Sequence, residues 1–293
     1  MKVKDETLKC VVFLGVEAEG VFTPAGTGFI LGVPYEMGEA KEHIYLVTAK
    51  HNIEPNRGNC NAFRVNTKDG KSRVVQFDPQ QRWYDHSDAI ADVCLCPIAI
   101  EEDWDVLVLP YGMITDKEML GNDDWITNGS DIFITGLFAD TPGATKNRPI
   151  VRKGSIAMIP AEKITTEFGV KEVYLIEARS VGGLSGSPVF WYATSDDLDM
   201  GKVFELRGIK SPSRIKPAIR QEFWGLLGLI QGHFPTNDNE EKEPSYDRKK
   251  DKKKGIINAG IAAVTPAIKV SDILAGDELR TERAGIEKGI SPQ

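Results

Sequence analysis

Short runs rich in Val, Ile, Leu, Phe and Thr, each closed by Gly, Pro, Asn or Asp, recur along almost the whole chain, and 3.6-residue apolar periodicity is scarce. Runs of this length are too short for core helices and fit strands that bury one or both faces. They place strands over residues 9–16, 28–33, 43–49, 62–66, 73–77, 92–97, 105–109, 131–138, 149–159, 172–178, 187–191, 225–231 and 260–264. Between 62–66 and 73–77, Lys68-Asp69-Gly70-Lys71 supplies hairpin turn chemistry. So many strands would leave long unpaired edges in open sheets, and closure into antiparallel barrels removes them. The polar stretch 115–130, with its two glycines, is the natural seam. The expected fold class is therefore all-β, with two six-stranded antiparallel β-barrels over residues 1–122 and 123–293. A short C-terminal helix is expected where Pro266 and Ala267 open an apolar stretch that ends at Leu274. The tail 275–293 carries no strong periodicity.

Composition narrows the function classes. Lys and Arg number 36 against 43 Asp and Glu, a formal net charge of -7, which favours solubility and argues against a nucleic-acid partner. No apolar stretch is long enough for a membrane span, and the mixed charges of MKVKDETLKC do not make a signal peptide, so a cytoplasmic location is expected. The cysteines, Cys10, Cys60, Cys94 and Cys96, are expected as free thiols filling apolar space. Cys94 and Cys96 share one face of a strand, but the nearest further ligands, His86 and Cys60, stand at no recognised zinc spacing, so no metal is expected. Two segments read as insertions: 210–223, basic and proline-bearing, and 235–255, dense in charge and poor in apolar residues. The second is a solvated loop or a docking place for a regulatory protein partner.

The decapeptide VGGLSGSPVF at 181–190 sets a serine among glycines at the lip of an apolar run. A tight turn explains the glycines equally well, so the serine needs company before it reads as a nucleophile. A hydroxyl attacks only when a base takes its proton and a third group fixes that base. Of the four histidines, His43, His51, His86 and His233, His51 closes the run Ile44-Tyr45-Leu46-Val47-Thr48-Ala49-Lys50 and so sits at a strand end, where rigid scaffolds present reactive groups.

These stretches resemble the trypsin-like (chymotrypsin-fold) serine peptidases, nearer their bacterial and viral branches. Thr48-Ala49-Lys50-His51 resembles the T-A-x-H box, and Gly183-Leu184-Ser185-Gly186-Ser187-Pro188 the G-x-S-G-[GS]-P box. Gly26-Thr27-Gly28-Phe29 resembles the strand ahead of the histidine. Asn258-Ala259-Gly260-Ile261 with Ala263-Val264-Thr265-Pro266 resembles the last barrel strand leading into the terminal helix. The order His, Asp, Ser matches too, and the resemblance covers roughly residues 9–275. An α/β-hydrolase fits worse, because Ser187 replaces the second glycine of its elbow, His233 is the one downstream histidine, and alternating helices are lacking.

The resemblance implies a chymotrypsin-like pair of barrels and a serine endopeptidase with a His51, Asp92 and Ser185 triad. The acid comes from Tyr84-Asp85-His86-Ser87-Asp88-Ala89-Ile90-Ala91-Asp92. Asp92, heading the apolar run Val-Cys-Leu-Cys, fits the pattern best, with Asp88 next. The backbone N–H groups of Gly183 and Ser185 would form the oxyanion hole. The substrate pocket would draw on Arg179, Ser180, Gly228, Ile230, His233 and Gly260. Arg179 stands six residues before Ser185 where a trypsin would carry Asp, so a preference for Arg or Lys is not expected. The pocket takes an acidic side chain if Arg179 or His233 enters it, and a small or apolar one otherwise. No cofactor is implied, the partner is a protein or peptide substrate, and no activation cleavage is expected. The other function class is a catalytically idle trypsin-like fold serving as a binding or scaffold module.

Overall fold

The computed structural model describes residues 3–36, 41–54, 59–120, 125–160, 162–166, 169–178, 183–197, 221–236 and 257–289. They form an all-β architecture with few helices. In the first half, β1 (Val11–Ala18), β2 (Val21–Pro34), β3 (Glu42–Thr48), β4 (Ala62–Asn66), β5 (Ser72–Gln76), β6 (Tyr84–Asp85), β7 (Cys94–Pro97) and β8 (Leu109–Pro110) make one sheet. Its order is β5-β4-β1-β2-β3-β7-β6, with β8 parallel to β2.

Period-2 alternation assigns the two faces of this sheet. Val12, Leu14, Ile30, Leu46, Phe63, Val65, Cys96 and Trp104 form one core. Their neighbours Val11, Phe13, Phe29, Leu31, Tyr45, Val47 and Leu95 face a second core, shared with Phe133, Phe190, Leu226 and Leu229 from the other half. Burial on both sides is the reason that runs such as VVFL and FILGV carry no polar residue.

In the second half, β9 (Asp131–Gly136), β10 (Ile150–Met158), β13 (Tyr174–Glu177), β14 (Pro188–Thr194), β15 (Glu222–Thr236) and β16 (Ile257–Pro266) close a six-stranded barrel in the order β10-β13-β16-β15-β14-β9. A two-stranded hairpin of β11 (Ile164–Thr166) and β12 (Gly169–Lys171) stands apart. Ile132, Ile134, Ile156, Ile176, Val189 and Val264 fill the barrel, so one of the two barrels read from the sequence closes as a ring.

Several local departures from the sequence reading have physical causes. Strand β2 starts seven residues earlier than the run from Gly28 suggests, because Pro24 and Gly26, which read as turn residues, sit at a bulge where β1 pairs Leu14 with Gly26 and Gly15 with Pro24. Residues 105–108 are not a strand; their backbone bonds go singly, from Asp105 N to Asn66 O and from Leu107 N to Lys9 O. Within the polar seam, Trp125 and Ile126 are buried in the barrel core. At its start, Thr115 is tied to the barrel through N–H to Leu226 O at 3.0 Å, and its hydroxyl accepts from Trp191 Nε1 at 2.8 Å.

The tail is helical: Ile268–Ala275 is followed by Asp277–Glu287. The second helix packs back on the first half, where Glu287 pairs with buried His43 at 2.9 Å and Glu282 accepts from Tyr84 Oη at 2.5 Å. No helix among the described residues is long and apolar enough to cross a membrane. Most of the charged loop 235–255, from 237 on, lies outside the described residues.

A reciprocal clamp joins the loop after β9 to β4 of the first sheet. Arg64 Nε donates to Asn147 Oδ1 at 2.6 Å, Asn147 Nδ2 returns a bond to Arg64 O at 2.5 Å, and Asn66 Oδ1 accepts from Asn147 N at 2.7 Å. The four cysteines are free and buried. Burial pushes the thiols of Cys10 and Cys60 up to about 12, and it raises those of Cys94 and Cys96 as well. Native protein is therefore expected to give no thiol colour with Ellman's reagent over minutes at pH 8, with all four cysteines reacting after denaturation. A fast-reacting thiol in the folded chain contradicts this packing.

Candidate active site

Strand β3 ends at Thr48, and a 3-10 turn over Lys50–Asn52 swings His51 out of the sheet toward the other half. Asp92 stands two residues before β7, itself hydrogen-bonded to β3 through Leu46 to Cys96 and Thr48 to Cys94. The shared register brings the two side chains together. His51 Nδ1 lies 2.7 Å from Asp92 Oδ2, and His51 N donates to Asp92 Oδ1 at 3.0 Å. An ionised carboxylate only accepts, so Nδ1 carries the proton and Nε2 is left with its lone pair.

Burial opposes the charge on Asp92, but the bonds from His51 and then the positive charge of Lys171 outweigh it, holding the carboxyl below its ordinary range. Asp88, the other candidate acid, is committed elsewhere: its carboxylate accepts from Ile90 N at 3.1 Å and pairs with Lys163 at 3.6 Å. His43 and His86 are likewise taken, by Glu287 and Asp272.

Ser185 belongs to a turn with Gly183 at φ 93° and Gly186 at φ 82°, values that side-chain-bearing residues rarely adopt. A Cβ on Gly183 would stand 2.8 Å from Leu137 Cγ, and one on Gly186 would overlap the carbonyl oxygen of Thr27. This turn is gripped by the first half through fully buried Thr27. Thr27 N donates to Ser185 O at 2.9 Å, and its hydroxyl donates to Gly183 O at 2.8 Å. The same hydroxyl accepts from Leu137 N at 3.0 Å, and Thr27 O accepts from the Thr48 hydroxyl at 2.7 Å. Asn52 Nδ2 completes the grip, donating to Thr48 Oγ1 and to Ser185 O, each at 3.0 Å. With both carbonyls turned inward, the N–H groups of Gly183 and Ser185 bond to no described residue.

The serine hydroxyl donates to Gln231 O at 3.5 Å and makes no hydrogen bond to His51 among the described residues. Behind the turn, Gly186 N donates to Ile230 O at 2.8 Å and Ile230 N to Ser187 O at 2.9 Å, which staples it to β15.

The other residues expected in a pocket are placed as follows. Ile230 is fully buried in the barrel core, and Gly228 lies where a Cβ would overlap Thr265 O. Gly260, at φ 79°, accepts from Ala178 N at 2.8 Å. His233 falls on β15, opposite Ala262, with nothing described of its side chain, and Arg179 and Ser180 lie outside the described residues. Asn52 and Gln231 are contributors that the sequence reading did not name, and Thr27 and Thr48, which fall within the boxes quoted for the histidine and its preceding strand, were given no role of their own.

No family model matches the chain, and no curated protein matches it. Among solved structures it is similar to the MamO protease domain from Magnetospirillum magneticum in its apo form, with a TM-score of 0.51 and 13% identity over 92% of this chain and 98% of that one. A weaker likeness, at a TM-score of 0.43 and 13% identity over 92% and 88%, is to Rv3671c from M. tuberculosis H37Rv in an inactive mutant form. The first likeness gives the fold, that of the trypsin-like serine proteases.

Two outcomes follow for stability. Thr27→Val keeps the shape but leaves Leu137 N and Gly183 O unpaired, and should lower unfolding free energy by about 1–3 kcal/mol in urea titrations, with Thr27→Ser restoring most of it. The depressed carboxyl of Asp92 stabilises the fold above its unfolded value of 3.8, and that contribution is lost as pH falls through the lower folded value. Acid unfolding of Asp92→Asn should therefore depend less steeply on pH below about 4 than wild type does, and identical slopes would assign the acid sensitivity elsewhere.

Proposed function

We propose that the protein is a serine endopeptidase that hydrolyses peptide bonds through an acyl-enzyme, with His51 as base, Asp92 as its orienting acid and Ser185 as nucleophile. The observation that carries this reading is the doubly bonded His51–Asp92 pair beside a positive-φ glycine turn whose two amides have no partner among the described residues. The fold shared with a protease domain supports it.

In this mechanism Ser185 Oγ first turns about its Cα–Cβ bond from Gln231 O toward His51 Nε2, a rearrangement of a kind expected when a site without substrate engages one. It then attacks the scissile carbonyl carbon while Nε2 takes its proton. The Gly183 and Ser185 amides receive the oxyanion, a contribution of about 2.7–4 kcal/mol for each donor. The imidazolium, stabilised by Asp92, passes the proton to the departing amine. A water, activated by the same imidazole, releases the acyl group.

Residues 1–122 and 123–293 act in this reading as the two barrel domains, and the first sheet, which wraps the Phe63 and Trp104 core, is the first barrel. Arg179, Ser180 and His233 are proposed to meet the residue before the scissile bond.

One observation favours a second reading, a catalytically idle binding module: the serine hydroxyl bonds away from the histidine. A fluorophosphonate probe separates the two. Covalent labelling of wild type, lost in Ser185→Ala, is the expected result. Asp92→Asn should lower turnover of a cleaved peptide by about 10⁴-fold through the wrong imidazole tautomer. Folded wild type that neither labels nor cleaves a diverse peptide library leaves the binding module.

A further inference from the structure

The start of β3, the residues after β7 and the helix Asp277–Glu287 border a cavity of about 290 Å³, close to the lower end of the range of about 300–1,000 Å³ usual for small-molecule sites. It lies at the Tyr45–Pro97 end of the β3–β7 pair, whereas His51 and Asp92 stand beyond the Thr48–Cys94 end. Its walls are largely aliphatic. Ile44, Ile98 and Ile100 are only half-covered by the core of the first sheet, and Pro97 and Ile286 join them, the last 37% exposed.

Among these apolar groups stands Arg283, 8% exposed. Its Nη2 donates to Leu274 O at 2.8 Å, but its buried Nη1 has no hydrogen-bond partner, and no carboxylate pairs with the guanidinium among the described residues. A guanidinium cannot shed its charge, and a buried charge without a counter-ion is costly to the fold. The phenol of Tyr45, which also lines the cavity, is pushed up by burial, and the neighbouring Arg283 opposes part of that rise, so hydroxyl and guanidinium stand side by side. The other titratable groups at the border are engaged or solvated. Glu282 accepts from Tyr84 Oη, His43 pairs with Glu287 at 2.9 Å, and Glu42 is exposed.

We infer that this cavity binds a small monocarboxylate with an apolar tail. One ligand oxygen accepts from Arg283 Nη1, the other from the Tyr45 hydroxyl, and the tail lies against Ile98, Ile100 and Ile286. Charge-assisted bonds of this kind are among the stronger ones a protein makes, and the carboxylate supplies the counter-ion that Arg283 lacks. Glu42 and Glu282 at the border weigh against a dianion such as a phosphate monoester, and the aliphatic walls weigh against a sugar. The ligand would tie the helix to β3 and β7 without entering the serine site, so this inference does not rest on the peptidase reading.

The test is calorimetric titration of the full chain with sodium hexanoate, and one saturable site is expected. Hexanamide, which keeps the tail and loses the charge, should bind about tenfold more weakly or worse. Arg283→Met should weaken hexanoate by about 10–100-fold, with Arg283→Lys in between. Because Arg283 is buried and its loss could unfold the helix, Ile286→Glu gives a second reading. Residue 286 is exposed enough for the melting temperature to hold, while a carboxylate at the cavity border should cost about tenfold in hexanoate affinity. Ser185→Ala should bind hexanoate as wild type does. A cavity that holds only water gives no saturable heat with millimolar hexanoate, and that result overturns the inference. So does equal affinity for hexanamide, undiminished binding by Ile286→Glu, or binding lost in Ser185→Ala, which would move the ligand to the serine turn. If wild type cleaves no peptide yet binds hexanoate in this pattern, the peptidase reading fails and this one stands.

Discussion

Thr27 is the residue on which the arrangement of the site depends. Its main chain and hydroxyl together make bonds to Ser185 O, Gly183 O, Leu137 N and the Thr48 hydroxyl, so one side chain from the first sheet fixes the serine turn, the strand end beneath it and the histidine strand at once. Glycine at 186 is a consequence of this closeness, since any Cβ there would collide with the Thr27 carbonyl. The Gly183 and Ser185 amides, without a partner among the described residues, are another. A turn whose carbonyls are claimed from below must show its N–H groups above, and that polarity is what an oxyanion requires.

Much of this was legible in the chain because its causes are local. A glycine-flanked serine, a histidine at the end of an apolar strand and an aspartate heading the next one can be read from their neighbours, and the structure places His51, Asp92 and the Ser185 turn together. Asp92 was already preferred to Asp88 on its local run, and the fold adds what commits Asp88 elsewhere: Lys163, a residue 75 positions away that no local pattern connects to it. Thr27 and Asn52 stayed hidden for the same reason, their bonds spanning 156 and 133 positions. The first part of β2 was masked by Pro24 and Gly26, whose usual meaning as turn residues is overridden by a bulge.

The two halves are joined by unlike contacts. Near the site the join is polar and directional, and below it lies the apolar core that Phe13, Phe29 and Leu31 share with Phe133, Phe190 and Leu226. Apolar burial supplies attraction without fixing a register, whereas the bonds of Thr27, Asn52 and Asn147 specify one alignment. The Arg64–Asn147 clamp extends that alignment to the loop after β9, whose first residue, Leu137, supports Gly183. The geometry of the turn is thus set from β4 as well as from beneath.

The buried free thiols carry one more implication. Nothing that shapes the serine turn or the His51–Asp92 pair is a disulfide, and every link between the halves described above is a hydrogen bond, an ion pair or an apolar contact. The alignment of the site therefore rests on no disulfide: a reductant has no bond to cut, and an oxidant finds no exposed cysteine thiol from which to begin.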